Sequence, residues 1–181
     1  MKIRIIAGQW RSRKLSVLDK PDLRPTPNRL RETLFNWLTP YLPGSKCLDL
    51  FAGSGALGIE AASRGVERVL LVDNDLNTVK NLHQNIIALN SKNIEIKQIN
   101  AIELLQKKPI ETFDIIFLDP PFTQNLLTPC CNLLEPWLNK SAHIYLENNE
   151  NIENLPNNWQ VIRQQKVGQV LGTLLVKLDN K

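Results

Sequence analysis

From residue 46 onward, short apolar runs alternate with segments of helical periodicity. The apolar runs are rich in aliphatic residues, which is typical of strands covered on both faces of a sheet. They occupy residues 46–51, 68–73, 94–99 and 113–118. Apolar positions recur at helical spacing over about 56–64, 75–89 and 101–107. This alternation predicts an α/β domain whose sheet is mostly parallel and whose crossover connections are right-handed.

The last third of the chain changes to a strand-rich pattern. A helix is predicted over about 124–134, with Pro129 in its first turn or at a kink. Three strands follow, and the last two are separated by the turn-like Val167-Gly168-Gln169. Their predicted ranges are 142–147, 159–166 and 170–178. The domain at 45–181 is therefore predicted to be Rossmann-like and doubly wound, with an antiparallel C-terminal hairpin.

The first 44 residues form a separate pattern. Residues 2–6 and 15–18 resemble two short strands around a turn-like segment. Apolar residues at helical spacing predict an amphipathic helix over about 28–38, with Thr26 as its N-cap and Pro27 at the first helical position. The sequence thus predicts a short N-terminal β-hairpin and helix extension at 1–44.

Composition limits the kind of protein. The chain has 181 residues, of which 43% are hydrophobic and 22% charged, as in globular proteins. Its longest apolar runs are about six residues, far short of the ~20 that cross a membrane. Three cysteines without C-x-x-C spacing indicate a reduced protein, so we expect a cytoplasmic location and no metal site. Nothing suggests an obligate dimer, and we expect a monomer.

The charge is unevenly distributed. The net charge is +4, but residues 1–46 hold ten basic and three acidic residues, and the remainder holds twelve basic and fifteen acidic ones. This asymmetry favours an N-terminal segment that faces a polyanion such as nucleic acid. A merely solvated basic face is the alternative.

A glycine-rich turn joins the first predicted strand of the domain to its helix. Gly53-x-Gly55-x-x-Gly58 matches the dinucleotide pattern, and Asp73 lies at the end of the next strand, where an acid can hold ribose hydroxyls. The pattern predicts an adenosine-type cofactor, either a nicotinamide nucleotide or S-adenosylmethionine. A tight turn without a ligand is the remaining alternative.

One acid in the strand before this turn favours S-adenosylmethionine. Asp49 places a carboxylate near the loop, where it would attract the ammonium and sulfonium charges of that cofactor. A pyrophosphate would be repelled by the same carboxylate.

A second motif, Asp119-Pro120-Pro121-Phe122, follows the fourth predicted strand and so falls at the same edge of the sheet. The prolines fix the backbone and remove N–H donors. A carboxylate beside a rigid carbonyl gives two acceptors, which suit an exocyclic amino group, and Phe122 offers a flat face for a stacked base. The motif predicts a site that orients an amine toward an electrophilic methyl group.

Both motifs, together with the N-terminal run, resemble a known family. D-x-F-x-G-S-G paired with D-P-P-F resembles class I S-adenosylmethionine-dependent amino methyltransferases. The segments 4–8, 10–15, 24–26 and 29–38 are similar to the RsmD type of ribosomal RNA guanine-N2 methyltransferases. The resemblance spans nearly the whole chain.

The resemblance implies roles for individual residues. The cofactor would be S-adenosyl-L-methionine, held by Thr26, Asp49, Gly53, Gly55, Asp73, Asn100 and Ala101. The amide oxygen of Asn100 would accept the adenine amino hydrogen. The flipped guanine would be held by Asp119, Pro120 and Phe122. Small-subunit ribosomal RNA, naked or in the assembled subunit, would contact Arg11, Arg13, Lys14, Arg24, Arg29 and Arg31.

Several alternatives stay open at this point. The same chemistry serves adenine N6, cytosine N4 or a glutamine amide, and Asp119 or water could take the released proton. Trp10 could stack on a base or pack in the core, and one of the arginines could pair with a carboxylate instead of RNA. A nicotinamide-dependent oxidoreductase and a non-catalytic RNA-binding assembly factor are more distant alternatives.

Overall fold

The computed structural model describes residues 2–18, 27–121, 124–149 and 155–179. The elements within these ranges are, in chain order, β1 (Lys2–Arg4), β2 (Lys14–Ser16), α1 (Asn28–Leu38), β3 (Lys46–Asp49), α2 (Ala56–Ser63), β4 (Arg68–Asp73), α3 (Leu76–Leu89), β5 (Ile94–Gln98), α4 (Ala101–Leu105), β6 (Phe113–Leu118), α5 (Leu127–Leu133), β7 (Leu138–Asn148), β8 (Trp159–Val167) and β9 (Val170–Lys177). Short 3₁₀ turns at Thr39–Tyr41 and Glu135–Trp137 follow α1 and α5.

Seven strands form one twisted sheet in the order β5-β4-β3-β6-β7-β9-β8. The first five in this order are parallel, and β9 pairs antiparallel with both β7 and β8. The chain moves outward from β3 to β5 and then returns to pair β6 with the other side of β3. This reversal is the switch point at which such sheets bind ligands. The predicted doubly wound fold with a C-terminal hairpin is confirmed.

Two apolar clusters cover the two faces of the sheet. Alternate positions along β6 divide between them, so that Phe117 belongs to one cluster and Leu118 to the other. Both residues are fully buried. Burial on both faces explains why the central strands are almost unbroken apolar runs.

The strand β7 is longer than predicted. It begins at Leu138, whereas the sequence pattern predicts a start at residue 142. The polar segment Asn139-Lys140-Ser141 interrupts the apolar pattern, and Ser141 has a positive φ of 53° at an irregularity in the pairing. The segment stays in the sheet because the Asn139 amide donates to Asp114 Oδ1 at 2.7 Å. Side-chain hydrogen bonds to a distant residue therefore keep this polar segment in β7, and the apolar pattern of the sequence gives no sign of them.

The N-terminal hairpin forms a separate two-stranded sheet. Ile3 and Leu15 are paired and face inward, whereas Arg4 and Lys14 are paired and exposed. The helix α1 has the predicted bounds, but Pro27 occupies the N-cap position that the sequence assigns to Thr26. Thr26 itself lies outside the described residues. The division between 1–44 and 45–181 stays a prediction.

The hairpin is fixed to the carboxyl-terminal end of α2. The Glu60 carboxylate accepts the backbone N–H groups of Ile6 at 2.8 Å and Ala7 at 3.0 Å, and it also accepts Arg64 Nε at 2.8 Å. Ser63 Oγ accepts the Trp10 N–H at 3.0 Å. Since Glu60 and Ser63 are buried, the hairpin is held by hydrogen bonds away from solvent.

No helix in the described part of the chain is both long enough and apolar enough to span a bilayer.

Candidate active site

Four carboxylates mark the edge of the sheet where the parallel strands end. Asp49 ends β3 and Asp73 ends β4. Asp119 directly follows β6, and Glu147 lies one residue before the end of β7. The helices α2 and α3 begin at this edge, so backbone N–H groups and carboxylates share it.

The glycine turn brings the backbone close to β4. Gly53 and Gly55 have positive φ values of 49° and 77°, which side chains rarely adopt, and Gly55 is the N-cap of α2. At Gly58, a Cβ would lie only 2.3 Å from Leu71 Cδ2. The glycines therefore let α2 lie directly on the sheet and form a closely fitting cradle around the Asp49 carboxylate.

Asp49 is a buried carboxylate within this cradle. It is 2% exposed, and its Oδ2 accepts the Gly58 N–H at 3.0 Å. Burial raises the pKa of Asp49 to about 7, the N–H donors of Gly58 and Phe51 lower it, and the charges of Asp73 and Glu147 raise it further. A carboxylate in this position gains most from a cationic ligand.

Asp73 receives hydrogen bonds from the same turn. Its Oδ2 accepts the Gly53 N–H at 3.0 Å, and its Oδ1 accepts the Asp75 N–H at 2.9 Å. A carboxylate that directly ends a parallel strand beside a glycine turn is suited to accept ribose hydroxyls. The carboxylates of Asp49 and Asp73 suit an adenosine-type cofactor that carries positive charge, and they would repel a pyrophosphate.

On the side expected to hold adenine, Asn100 caps a helix. Its Oδ1 caps α4 by accepting the N–H groups of Ile102 at 2.9 Å and Glu103 at 3.3 Å. The role of this oxygen as acceptor of an adenine amino hydrogen stays a prediction. The exposed Asn100 amide nitrogen can only donate, and the next residue, Ala101, is buried at the start of α4.

Only part of the D-P-P-F motif lies in the described residues. Asp119 is half-buried and Pro120 is buried, while Phe122 lies outside them. The carbonyl of Pro121 accepts the Gln124 N–H at 3.1 Å. The Pro121 carbonyl, one of those expected to accept from an amine, therefore already accepts a hydrogen bond within the turn.

The structure adds two residues that the sequence motifs do not include. Tyr145 and Glu147 on β7 are both buried, and the tyrosine hydroxyl donates to Glu147 Oε1 at 2.9 Å. Burial raises the pKa of Tyr145, and the charges of Glu147 and Asp119 raise it further. The signal in the sequence was an acid at the end of an apolar strand, which Asp49 and Asp73 also show.

The expected RNA contacts are partly exposed. Arg11, Arg13, Lys14 and Arg29 are exposed, and the Arg13 guanidinium donates to the carbonyl of Ala88 near the end of α3. Two further basic residues, Lys2 and Arg4, are exposed on the hairpin and were missed. Arg24 lies outside the described residues. The exposed side chains of the hairpin form its basic face, which consists of Lys2, Arg4, Arg11, Arg13 and Lys14.

Arg31 is a correction to the expected RNA contacts. Its side chain is 1% exposed, and its Nη2 donates to the carbonyl of Arg4 at 2.6 Å and to Asn28 Oδ1 at 3.1 Å. Burial lowers the pKa of Arg31, and the charge of Glu60 opposes this. Arg31 therefore joins α1 to the hairpin instead of contacting RNA. Trp10 is also buried, which confirms packing as its role.

Together, the switch-point sheet, the glycine turn and the strand-end carboxylates define a class I S-adenosylmethionine-dependent methyltransferase. Within the described ranges, no group of three or more histidines, cysteines or carboxylates could hold a metal ion. S-adenosyl-L-methionine is the cofactor of this class.

Comparison with known proteins identifies the family within that class. The chain belongs to the RsmD family, described as Conserved hypothetical protein 95, which it matches over residues 3–176. It is 46% identical to Ribosomal RNA small subunit methyltransferase D of Escherichia coli, over 93% of this chain and 87% of that protein. It is 42% identical to the protein of the same name from Buchnera aphidicola, over 93% of this chain and 90% of that one.

A solved structure supports the same relationship. The Escherichia coli protein yhhF superimposes with a TM-score of 0.91 at 43% identity, covering 99% of this chain and 100% of that chain. The fold of the described residues is thus shared along essentially the whole chain.

Proposed function

We propose that this protein transfers a methyl group from S-adenosyl-L-methionine to the exocyclic N2 amino group of a guanine in small-subunit ribosomal RNA. The observation that carries the proposal is the row of carboxylates on one sheet edge. Asp49 suits a cationic methyl donor, and Asp119 directly follows the adjacent strand β6, where an amine acceptor would meet the donor. The names of the relatives support ribosomal RNA as the substrate.

The reaction is a direct displacement. The N2 lone pair forms the new bond to the methyl carbon while the bond from that carbon to sulfur breaks, and N2 then loses one proton. Conjugation with the ring normally delocalises this lone pair, so an acceptor that holds an N2 hydrogen also turns the lone pair toward the methyl group. Asp119 is placed to be that acceptor, and catalysis rests mainly on orientation.

The basic face of the hairpin supports an RNA substrate. Arg4 and Lys14 face outward from neighbouring strands, and Lys2 and Arg11 extend the same charge. Such side chains bind phosphates without reading sequence. The hairpin loop lies by Ala88, close to the end of α3, and a helix of 14 residues spans about 21 Å. RNA bound along the whole face would therefore extend well beyond the target nucleotide.

A methyl-transfer assay with mapping tests the function directly. Unmodified small-subunit RNA, naked and as assembled subunits, is incubated with the protein and labelled cofactor, and the modified nucleotide is identified by mass spectrometry. We expect N2-methylguanine at one position. Label on adenine N6 or cytosine N4 would overturn the target assignment but keep the chemistry. No transfer to RNA of either form would contradict the proposal.

The substitution Asp119→Ala tests the assigned acceptor. We expect the rate of methyl transfer to fall at least about 100-fold, because the amine loses its orienting acceptor. Calorimetric affinity for S-adenosylmethionine should change little, since Asp49 and Asp73 remain. Asp114→Asn is the matched control, because Asp114 lies on the same strand near its opposite end and hydrogen-bonds Lys46 and Asn139. Full activity of Asp119→Ala would refute the role.

A further inference from the structure

The amino-group site contains a second carboxylate beside Asp119. In the pairing of β6 with β7, Leu118 lies opposite Leu146, so Asp119 and Glu147 are the next neighbours along the two parallel strands. Both continue the face that carries Phe117 and Tyr145, because alternate residues of a strand share a face. The charges of Asp119 and Glu147 both act on Tyr145, which agrees with the two carboxylates lying on the same side of the sheet at its functional edge.

Glu147 is enclosed on this face. It is 2% exposed, and the buried Tyr145 hydroxyl donates to it at 2.9 Å. Gly172 lies opposite Glu147 on β9, and a Cβ there would come within 2.6 Å of the Tyr145 hydroxyl and 2.9 Å of Leu30 Cδ1 on α1. The pair of Tyr145 and Glu147 thus fills a closely packed space under α1.

Burying a carboxylate in such a place is costly, and an apolar residue would pack there at lower cost. The charges of Glu147 and Asp119 both act on Tyr145, and the charge of Glu147 also acts on Asp49. The effects of Glu147 therefore reach both the amino-group site and the cofactor site. A carboxylate with this reach is a candidate for function rather than packing.

Building on the proposed function, we infer that Glu147 is a positioning residue that acts through Asp119 and strengthens Asp119 as the acceptor of the amine proton. A second negative charge beside Asp119 disfavours its ionised form relative to its protonated form, so Asp119 becomes a better base. The same charge stabilises the positive charge that develops on N2 as its bond to carbon forms. Tyr145 holds the Glu147 carboxylate in place by its hydrogen bond.

The proton and electron balance is complete without another reactant. The N2 electron pair becomes the nitrogen–carbon bond, and the pair of the broken carbon–sulfur bond stays on sulfur. One N2 proton passes to Asp119 and then to solvent. Glu147 changes neither its bonds nor its charge during the step.

The titratable groups around this centre are few among the described residues. Tyr145 lies on the same strand as Glu147, and Asp49 and Asp119 lie on the neighbouring strands toward the centre of the sheet. The elements on the other side contribute Gly172 from β9 and Leu30 from α1, neither of which titrates.

The test replaces Glu147 with an amide of the same shape. In Glu147→Gln the Tyr145 hydroxyl keeps an acceptor, but the charge is removed. With both RNA and S-adenosylmethionine saturating at every pH, we expect kcat to fall about tenfold and the acid limb of the kcat profile to move to lower pH by about one unit. The KM for RNA should stay within about twofold. Glu147→Asp keeps the charge, so its acid limb should stay near that of the unchanged enzyme.

A second measurement needs neither cofactor nor RNA. The chain has two tyrosines, so Tyr41→Phe leaves Tyr145 as the one tyrosine whose ionisation is followed by ultraviolet absorbance. Adding Glu147→Gln should lower the pKa of Tyr145, because a neighbouring negative charge is removed. Asp114→Asn in the same background should leave it unchanged.

The outcomes separate this inference from the proposed function. A pH profile and kcat unchanged in Glu147→Gln would overturn the inference, as would a loss confined to stability or to the KM for RNA. An unchanged Tyr145 titration would remove its electrostatic basis. If mapping places the methyl group on another amine, the pH profile is recorded on that substrate and tests the inference equally well.

Discussion

Two buried carboxylates lie at α2, Glu60 within the helix on the hairpin side and Asp49 against its first turn on the glycine-turn side, and they are satisfied in opposite ways. At the hairpin end, Glu60 accepts two backbone N–H groups and the Arg64 guanidinium. At the glycine-turn end, Asp49 also accepts two backbone N–H groups, those of Gly58 and Phe51, but no salt bridge joins it to another described residue. Gly58, which Asp49 contacts, lies only two residues before Glu60 on α2, so the two regions are close together along this helix.

The difference indicates what each carboxylate is for. Glu60 is neutralised by groups of the protein itself, so its hydrogen bonds stabilise the docked hairpin. Asp49 is buried next to other carboxylates, which raises its pKa to about 7 and leaves its charge to be stabilised by a ligand. A buried charge completed by its own chain supports the fold, and one that needs a ligand marks a binding site.

The largest expected effect is at the hairpin end. Glu60→Ala should lower the free energy of unfolding by about 3–5 kcal/mol, because it removes the carboxylate that faces the buried Arg31 and the partly buried Arg64 and leaves two N–H groups without their acceptor. Urea unfolding measures this. Glu67→Ala, at an exposed carboxylate nearby, is the control and should change stability by less than about 0.5 kcal/mol. Equal effects of both substitutions would break the comparison.

The second-largest effect is expected at Asp49, where one substitution should lower cofactor affinity and raise stability. Asp49→Asn should weaken S-adenosylmethionine about 100-fold in calorimetry, because the cationic ligand loses its buried counter-charge. The same substitution should stabilise the ligand-free protein by about 2 kcal/mol, since the cost of burying the ionised carboxylate disappears. A protein that loses both affinity and stability would place Asp49 with Glu60 as a structural residue.

The smallest effect concerns pH. Because the pKa of Asp49 is raised to about 7, the free protein must lose a proton to bind the cation at lower pH. Affinity for S-adenosylmethionine should therefore fall about tenfold from pH 8 to pH 6. The contribution of Asp49 to stability runs the other way: it is fully present below about pH 4 and is lost as pH rises to about 7.

The substitution Asp49→Asn serves as the control for this prediction, because its affinity should vary little over the same range. Affinity that is independent of pH in the unchanged protein would show that the Asp49 carboxylate is already stabilised without a ligand, as that of Glu60 is. Calorimetry at each pH on the same preparation makes the two profiles comparable.

The sequence predicted most elements because their signals are local. The strands at 68–73 and 113–118 and the helix at 28–38 have the predicted bounds, since each is set by its own apolar periodicity. The start of β7 was wrong, because Asn139 stays in the sheet through a hydrogen bond to Asp114, 25 residues away in sequence. Pairing of this kind leaves no trace in the apolar pattern.

The site was predicted to the extent that its residues belong to compact motifs. Asp49, Gly53 and Gly55 lie within seven positions of one another in the sequence, and their geometry follows from one turn. Glu147 was missed because its link to Asp119 depends on the register of β6 against β7, which joins residues 28 apart. Arg31 was assigned to RNA because its sequence neighbourhood is basic, although its side chain is buried.

By itself, the sequence determined the order of strands and helices, the glycine turn, the acids that follow individual strands, and the family. These are properties of short segments, because periodicity and backbone freedom act over a few residues. The tertiary structure alone decided which charges are buried and with whom: Arg31 against the hairpin, Glu60 under Ile6 and Ala7, and Glu147 beside Asp119. The free energy of a charged side chain depends on its burial and on the groups around it. These groups come from segments far apart in the chain, so the sequence of one segment does not determine them.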